Sequence, residues 1–186
     1  MAVQLQRRLL TVDDYRLLIR AGSLGEDDRV ELIEGEIIEM SPISPEHAGH
    51  VKRLNRLFSR RLGDRALIGV QDPIALGEHS EPQPDLVLLR PHADDYADAH
   101  PGPGDVLLVV EVADTSVNYD RDVKMRLYAQ AGIPEAWLVS LPDGWIEVYT
   151  EPSPVGYLSM RRALPGASLA PQAFPDVVVA VNDVME

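Results

Sequence analysis

The central strand of the fold is predicted by the segment Val106-Leu107-Leu108-Val109-Val110-Glu111-Val112-Ala113. An aliphatic run of this length is typical of a strand that is covered on both faces of a sheet. Glu111 lies inside the run, and burying an unpaired carboxylate costs roughly several kcal/mol. The Glu111 carboxylate is therefore expected to be protonated, paired with a cation or bound to a metal ion.

A second carboxylate opens another apolar strand, Pro84-Asp85-Leu86-Val87-Leu88-Leu89. If the two strands pair, Asp85 and Glu111 lie side by side and offer the oxygen ligands that Mg²⁺ prefers. Ala113 lies two positions beyond Glu111 on the same strand face, and its backbone carbonyl is a candidate third ligand. Lys124, at the start of the following helix, could hold an attacking water or offset charge in a transition state.

Each of these residues also has an ordinary structural interpretation. Acids at strand ends, such as Asp85, are common in turns and caps. Glu111 could pair with a buried arginine, or its strand could lie at the edge of the sheet. Lys124 alone is an unexceptional helix residue. The three in this order are nevertheless what a metal-dependent phosphodiesterase needs.

Length and composition predict one domain over residues 1–186, large enough for a real core. Hydrophobic residues make up 45% of the chain and charged residues 25%, as in ordinary globular proteins. The chain has no cysteine, which excludes disulfides, thiolate zinc sites and cysteine nucleophiles. No signal peptide is apparent, and no apolar run approaches the ~20 residues needed to span a bilayer. We therefore expect a soluble cytoplasmic protein.

The net charge of −13 argues against a general nucleic-acid binder, which is usually basic. Basic residues are nevertheless concentrated in one short stretch with a single acid, Asp64: Lys52, Arg53, Arg56, Arg60, Arg61 and Arg65. This stretch is either a solvated helix face or a local anchor for phosphates. In the second case Lys52, Arg53, Arg56 and Arg60 are candidates for contacting the phosphates of a nucleic acid.

The remaining pattern alternates helices with strands. Thr11 caps a first helix, Glu34-Gly35 forms a tight hairpin turn, and Ser44 caps a helix over residues 45–62. Later strands are predicted near 66–71, 84–90, 106–113, 134–141, 145–149 and 157–164, with a helix over 120–131. This order predicts an α/β or α+β fold in which helices flank a mixed central sheet.

Several segments together resemble the Uma-two family of restriction endonucleases, which belongs to the PD-(D/E)XK nuclease superfamily. They are Glu31–Ile37, Met40–His47, Pro84–Val87, Glu111–Ser116, Asp120–Lys124 and Tyr128–Val139. The resemblance extends from about residue 11 to about residue 181. It implies a restriction-endonuclease-like core that hydrolyses DNA with Mg²⁺ or Mn²⁺, and a homodimer is expected because two strands must be cut.

The resemblance also implies roles for individual residues. Asp85 and Glu111 would bind the metal ion. The superfamily lysine normally lies two positions after the second acid, where this chain has Ala113. The family instead carries a lysine on the following helix, which Lys124 matches. Glu31 and His47 match residues of the family and are additional site candidates, with His47 expected near a phosphate at a helix N-terminus. Gln71 is a further candidate, independent of the resemblance, for the floor of the site.

A non-catalytic binding or assembly module on the same scaffold is the competing hypothesis. The net charge of −13 and the alanine at position 113 favour it. Cleavage and metal-binding measurements on the purified protein distinguish the two hypotheses.

Overall fold

The structure is a computed structural model that describes residues 7–25 and 28–185. Its helices are α1 (Val12–Arg20), α2 (Pro45–Leu62), α3 (Val117–Tyr119), α4 (Met125–Gln130) and α5 (Val181–Met185). One π-helical turn, Asp120–Lys124, joins α3 to α4. Within the described ranges, no helix combines the length and the apolar character needed to cross a membrane.

The strands are β1 (Val30–Ile33), β2 (Glu36–Glu39), β3 (Leu67–Gly69), β4 (Leu86–Leu89), β5 (Val106–Ala113), β6 (Glu135–Ser140), β7 (Trp145–Ser153), β8 (Gly156–Ala163), β9 (Ser168–Leu169) and β10 (Val179–Ala180). Six of them form a sheet in the order β3-β4-β5-β6-β7-β8. Only β5 and β6 run parallel in this sheet, so it is mixed, as the sequence predicts. All eight residues of β5 are buried, which confirms a strand covered on both faces.

Helices cover both faces of the central sheet. Alternate residues of β5 point to opposite faces, so they pack into two different cores. Leu108 and Val110 pack in the core that contains the apolar residues of α2. Val109 and Ala113 pack in a second core, which contains Tyr128 of α4. Glu111 falls on the α4 side by the same alternation, and this places its carboxylate near the π-helical turn.

The start of α2 follows the predicted capping chemistry. Pro45 occupies the first helical position, where a missing N–H costs nothing. The Ser44 hydroxyl accepts a hydrogen bond of 3.1 Å from the backbone N–H of His47. This cap fixes the first turn of α2, and with it the His47 side chain, at one end of the central sheet.

Strands β1 and β2 form a separate hairpin, as predicted. Glu34 and Gly35 both have positive φ angles, 49° and 81°, and a Cβ at position 35 would clash with the Leu9 side chain. Glycine is therefore required in this turn. The N–H of Glu81 donates to the carbonyl of Leu32 at 2.8 Å, which ties β1 to the chain leading into β4. All four residues of β1 are buried, so Glu31 is enclosed by the body of the protein.

The antiparallel register of β4 and β5 decides where the two strand acids lie. Leu86 pairs with Val110, so Asp85 lies beside Glu111 at the end of the sheet where β5 finishes. The sequence predicts Asp85 within the strand, but in the structure it lies one residue before β4 begins. The helix expected over 120–131 likewise begins earlier, at Val117, and passes through the π-helical turn.

Candidate active site

Asp85 and Glu111 meet at the end of the central sheet. The backbone N–H of Asp85 lies 3.4 Å from Glu111 Oε2, and the N–H of Val112 donates to Asp85 Oδ2 at 2.9 Å. The two residues are only 8% and 3% exposed. Strand pairing therefore holds both carboxylates together in a nearly dry environment, as expected from the sequence.

Lys124 reaches the same place from the π-helical turn. Its Nζ lies 3.3 Å from Glu111 Oε1 and 3.0 Å from Glu31 Oε2. The lysine is 4% exposed and Glu31 is 2% exposed, so this is a buried ion-pair cluster. The predicted convergence of Lys124 and Glu31 on the strand acids is present, although Glu31 bonds to the lysine and to neither strand acid.

His47 and Gln71 both bond to Asp85. His47 Nε2 lies 2.9 Å from Asp85 Oδ2, and Gln71 Nε2 donates to Asp85 Oδ1 at 3.2 Å. The bond to Asp85 raises the pKa of His47, while burial opposes the shift. The other ring nitrogen, Nδ1, is buried and has no hydrogen-bond partner among the described residues. Both candidates thus belong to the site through Asp85.

The backbone carbonyl of Ala113 does not join the site. It accepts a hydrogen bond of 2.9 Å from the N–H of Leu141, and Ala113 is absent from the lining of the cavity described below. The physical reason is that strand carbonyls point along the sheet towards neighbouring strands, whereas side chains point to its faces. Sharing a strand face with Glu111 therefore does not bring the Ala113 carbonyl to the acids.

Two further residues join the site that the sequence analysis had not assigned to it. The Tyr128 hydroxyl donates a hydrogen bond to Glu111 Oε1. The buried Asp120 accepts one of 2.6 Å from the Ser116 hydroxyl. Asp120, Lys124 and Tyr128 are spaced four residues apart, which places side chains on one helix face. That spacing is the signal from which both residues could have been found.

The site contains more buried acidic side chains than basic ones. Burial raises the pKa of Glu111 to about 8 against the opposing effect of Lys124, and burial likewise raises the pKa of Asp120. Burial alone would lower the pKa of Lys124, but Glu111 and Glu31 outweigh it and the pKa is raised. Four buried acidic side chains, Glu31, Asp85, Glu111 and Asp120, thus face one ammonium group, that of Lys124, and one imidazole, that of His47.

Glu147 provides a contrast within the same protein. Its fully buried carboxylate bonds to Arg121 at 3.0 Å, to Arg162 at 3.1 Å and to the Tyr149 hydroxyl at 2.6 Å. Burial acts to raise its pKa, but these bonds, with Arg121 foremost, lower it to about 2. Here cations outnumber the acid, as in a structural ion-pair network, whereas the cluster around Glu111 has the opposite balance.

The acidic cluster opens onto a cavity of about 290 Å³ between the hairpin, the start of α2 and the π-helical turn. Its lining includes Glu31, His47, Asp85, Glu111, Asp120 and Lys124. A carboxylate oxygen has two lone pairs, and among the residues that the structure describes Asp85 Oδ1 and Glu111 Oε2 each accept a single hydrogen bond. Each of the two acids therefore retains a lone pair for a cation.

The donor set fits Mg²⁺ or Mn²⁺ as an ion held by two protein carboxylates. Magnesium is usually bound by one or two carboxylates and keeps several waters. Within residues 7–25 and 28–185, no group of three or more histidine, aspartate or glutamate side chains is arranged to hold a metal ion. Water and substrate oxygens would therefore complete the coordination around Asp85 and Glu111.

The basic stretch of α2 lies apart from the acids. Lys52, Arg56 and Arg60 are exposed, while Arg53 donates to the carbonyl of Val184 at 3.1 Å. Arg53, Arg56 and Arg60 line a separate cavity of about 520 Å³. Since His47 lies in the first turn of the same helix, α2 connects the acidic cavity to this basic surface.

The mixed six-stranded sheet with helices on both faces is a nuclease-like fold. A crystal structure of a putative nuclease belonging to DUF820, from Anabaena variabilis ATCC 29413, is similar with a TM-score of 0.74. The two proteins share 16% sequence identity, and the match covers 95% of this chain and 97% of that one. A comparison with curated proteins found no match. Residues 12–182 match the family described as "Uma2: Putative restriction endonuclease", and the chain belongs to this family.

Proposed function

We propose that the protein is a Mg²⁺- or Mn²⁺-dependent endonuclease of the PD-(D/E)XK type that hydrolyses phosphodiester bonds of DNA. The observation that carries the proposal is that Asp85, Glu111 and Lys124 all line one cavity. Membership of a family described as restriction endonucleases supports the same reaction. The proposal assigns Asp85 and Glu111 to the metal ion and Lys124 to the reacting groups.

The excess of buried carboxylate supports a role in cation binding. A bound metal ion would act as a Lewis acid towards a phosphoryl oxygen and lower the pKa of a water molecule. Asp85 is held for this task by His47, Gln71 and the N–H of Val112. Those bonds leave the carboxylate little freedom, so no large reorganisation is needed when a cation enters.

Lys124 acts in this proposal as a cation and not as a base. Glu111 and Glu31 raise its pKa over the opposing effect of burial, which keeps the ammonium group protonated at neutral pH. A protonated amine can hold a water molecule in line with the phosphorus and stabilise negative charge as it develops on the phosphoryl oxygens. The attacking water must therefore lose its proton to another acceptor.

The exposed cations of α2 support DNA as the substrate. Lys52, Arg56 and Arg60 offer a positive strip to the phosphate backbone, and Arg53 lies beside them. His47 lies in the first turn of the same helix and lines the acidic cavity, so a phosphate that enters this cavity would approach the N-terminus of α2. The acidic cavity would receive one phosphate, while the basic surface of α2 would hold the neighbouring ones.

We also propose that the active species is a homodimer. Cutting both strands of a duplex is simplest with two symmetry-related sites. Light scattering coupled to size-exclusion chromatography measures the molar mass directly. A monomeric mass both alone and on duplex DNA would contradict this part of the proposal and leave the single-strand chemistry untouched.

The test of the function is nicking of supercoiled plasmid by the purified protein with Mg²⁺ or Mn²⁺. Asp85→Asn should abolish nicking, because it removes a metal ligand, and Lys124→Met should reduce nicking to a residual rate about 100- to 1,000-fold below wild type, because it removes the ammonium group that stabilises developing charge. Asp176→Asn is the matched control: it also changes an aspartate that follows a proline, but its side chain is 63% exposed and pairs with Arg65. This control should nick at the wild-type rate.

The same experiment decides between the enzyme and the binding module. Nicking that requires metal, is lost in Asp85→Asn and falls to a residual rate in Lys124→Met supports the nuclease. A wild-type protein that neither nicks nor binds Mn²⁺ in calorimetry, yet still binds a partner or DNA, supports the module. Nicking that persists at the wild-type rate in Asp85→Asn and Lys124→Met would indicate a contaminating nuclease and remove the support from this site.

A further inference from the structure

The position of Lys124 poses a problem of side-chain order. A lysine on β5 would be held by the strand backbone next to Glu111, but this chain has Ala113 there. The amine comes instead from the π-helical turn, on a flexible four-carbon stem that has many rotamers. Some group must hold that stem if the ammonium is to act at a defined point.

Glu31 contacts the ammonium group of Lys124 and can hold it in place. Its Oε2 lies 3.0 Å from Lys124 Nζ, closer than the 3.3 Å from that Nζ to Glu111 Oε1. The same Oε2 accepts a hydrogen bond of 3.2 Å from the backbone N–H of Gln83. Glu31 is thus held in turn by the chain segment that leads to Asp85, and its side chain is buried.

We propose that Glu31 is a positioning residue that holds the ammonium group of Lys124 beside Glu111, an inference that rests on the proposed nuclease function. Glu31 makes no bond to Asp85 or Glu111, and its contact with the reacting groups runs through Lys124 alone among the described residues. It therefore acts through the lysine and is not a ligand of the metal ion. The hairpin β1–β2 supplies the constraint that position 113 does not.

The test compares Glu31→Gln, Lys124→Met and the double variant. Glu31→Gln should lower kcat for plasmid nicking about 10- to 100-fold, the range found when the orienting partner of a site residue is removed. Its Mn²⁺ affinity, measured by calorimetry, should stay within about threefold of wild type. In the Lys124→Met background the Glu31→Gln change should have no further effect on nicking or on the residual rate. Non-additivity of this kind identifies residues that act through each other.

Two controls separate positioning from loss of a buried charge. Glu81→Gln also neutralises a buried glutamate that bonds an arginine next to the hairpin, and it should leave kcat unchanged. Glu31→Asp keeps the negative charge but has a shorter side chain, so it should also lower kcat. It provides a folded variant for the test if Glu31→Gln does not fold. A fall of tenfold or more in Mn²⁺ affinity in either Glu31 variant would make Glu31 a ligand and overturn the proposal. Additive effects with Lys124→Met would overturn it as well.

A measurement without cleavage keeps the inference separate from the proposed function. The chain has two lysines, Lys52 and Lys124, so selective ¹⁵N labelling of lysine side chains gives a simple NMR spectrum. The buried ammonium of Lys124 should give a slowly exchanging signal that is lost in Glu31→Gln, whereas exposed Lys52 serves as the internal reference. A Lys124 signal that is unchanged in Glu31→Gln would refute positioning, even if the wild type cleaves DNA. If the Lys124 signal is lost in Glu31→Gln but the wild type does not nick DNA, only the proposed nuclease function is refuted.

Discussion

Tyr128 and Glu111 are joined by a buried hydrogen bond in which the phenolic hydroxyl donates to Oε1 of the carboxylate. Lys124 contacts the same oxygen, so both groups hold one side of the carboxylate and leave Oε2 facing Asp85. The geometry means that an aromatic residue of the α4 core also sets the orientation of a strand acid at the site.

Tyr128→Phe should therefore weaken Mn²⁺ binding about 10-fold, because outer-shell partners of metal ligands typically contribute 10- to 100-fold in affinity. Calorimetry with Mn²⁺ measures this directly. Tyr149→Phe is the matched control, since its hydroxyl donates to the buried Glu147, away from the cavity. An equal loss of affinity in both variants would mean that general loosening of the core is responsible.

Glu111→Gln should abolish Mn²⁺ binding without unfolding the protein. Burial penalises the charged form of Glu111 and raises its pKa, so a neutral isostere that still accepts from Tyr128 relieves part of that penalty. In buffer with EDTA, circular dichroism melts should give a Tm equal to or above that of wild type. An aggregated or unfolded variant would assign Glu111 a structural role instead.

Adding Mn²⁺ should stabilise the wild type and leave Glu111→Gln unaffected. A ligand at about 100 times its Kd contributes about 2.7 kcal/mol to the free energy of unfolding. Urea denaturation at fixed Mn²⁺ concentrations measures this increase. An equal increase in both proteins would place the bound ion somewhere other than the acidic cavity.

Glu147 should control stability in acid. Its carboxylate has a pKa lowered from 4.5 to about 2, so it holds fewer protons in the folded protein than in the unfolded chain. Its contribution is therefore full above pH 4.5 and is lost as the pH falls from 4.5 towards 2. Glu147→Gln should cost about 1.5–3 kcal/mol at pH 7, the range for hydrogen bonds to charged groups. Urea denaturation should show this difference shrinking towards pH 2; a difference that is constant with pH would contradict the assignment.

Arg56→Ala and Arg60→Ala should each weaken DNA binding by a similar factor on any sequence, because a phosphate contact carries no base information. Each should also reduce the slope of log K against log salt by about 1. Fluorescence anisotropy over a range of salt concentrations measures both quantities. Arg161→Ala removes an exposed arginine from edge strand β8 and should change neither. Unchanged slopes in the α2 variants would rule out this helix as the DNA surface.

The parts of the site that could be predicted are those with a local signal. An acid within the aliphatic run of β5 is visible because burying charge is costly, and pairing of β4 with β5 then brings Asp85 to Glu111. The contact between Lys124 and Glu31 has no such signal, because it depends on how the hairpin docks against the central sheet. Nor does the periodicity of an ordinary helix predict the π-helical turn. The hydrogen bond from Tyr128 to Glu111 also lacks a local signal, since helical spacing places Tyr128 on the same face as Lys124 but does not show which group its hydroxyl meets.

Strands β1 and β2 form a sheet of their own, and β1 is bonded to the rest of the chain through the backbone pair of Leu32 and Glu81, the bonds of Glu31 to Lys124 and Gln83, and the bond from Tyr15 to Val30. A small ribbon held in this way has fewer bonds to break than the six-stranded body. Moderate warming should therefore detach the ribbon first, freeing the amine while both strand acids stay in place. Nicking activity would then be lost at a temperature at which the far-UV circular dichroism spectrum is still that of the folded protein.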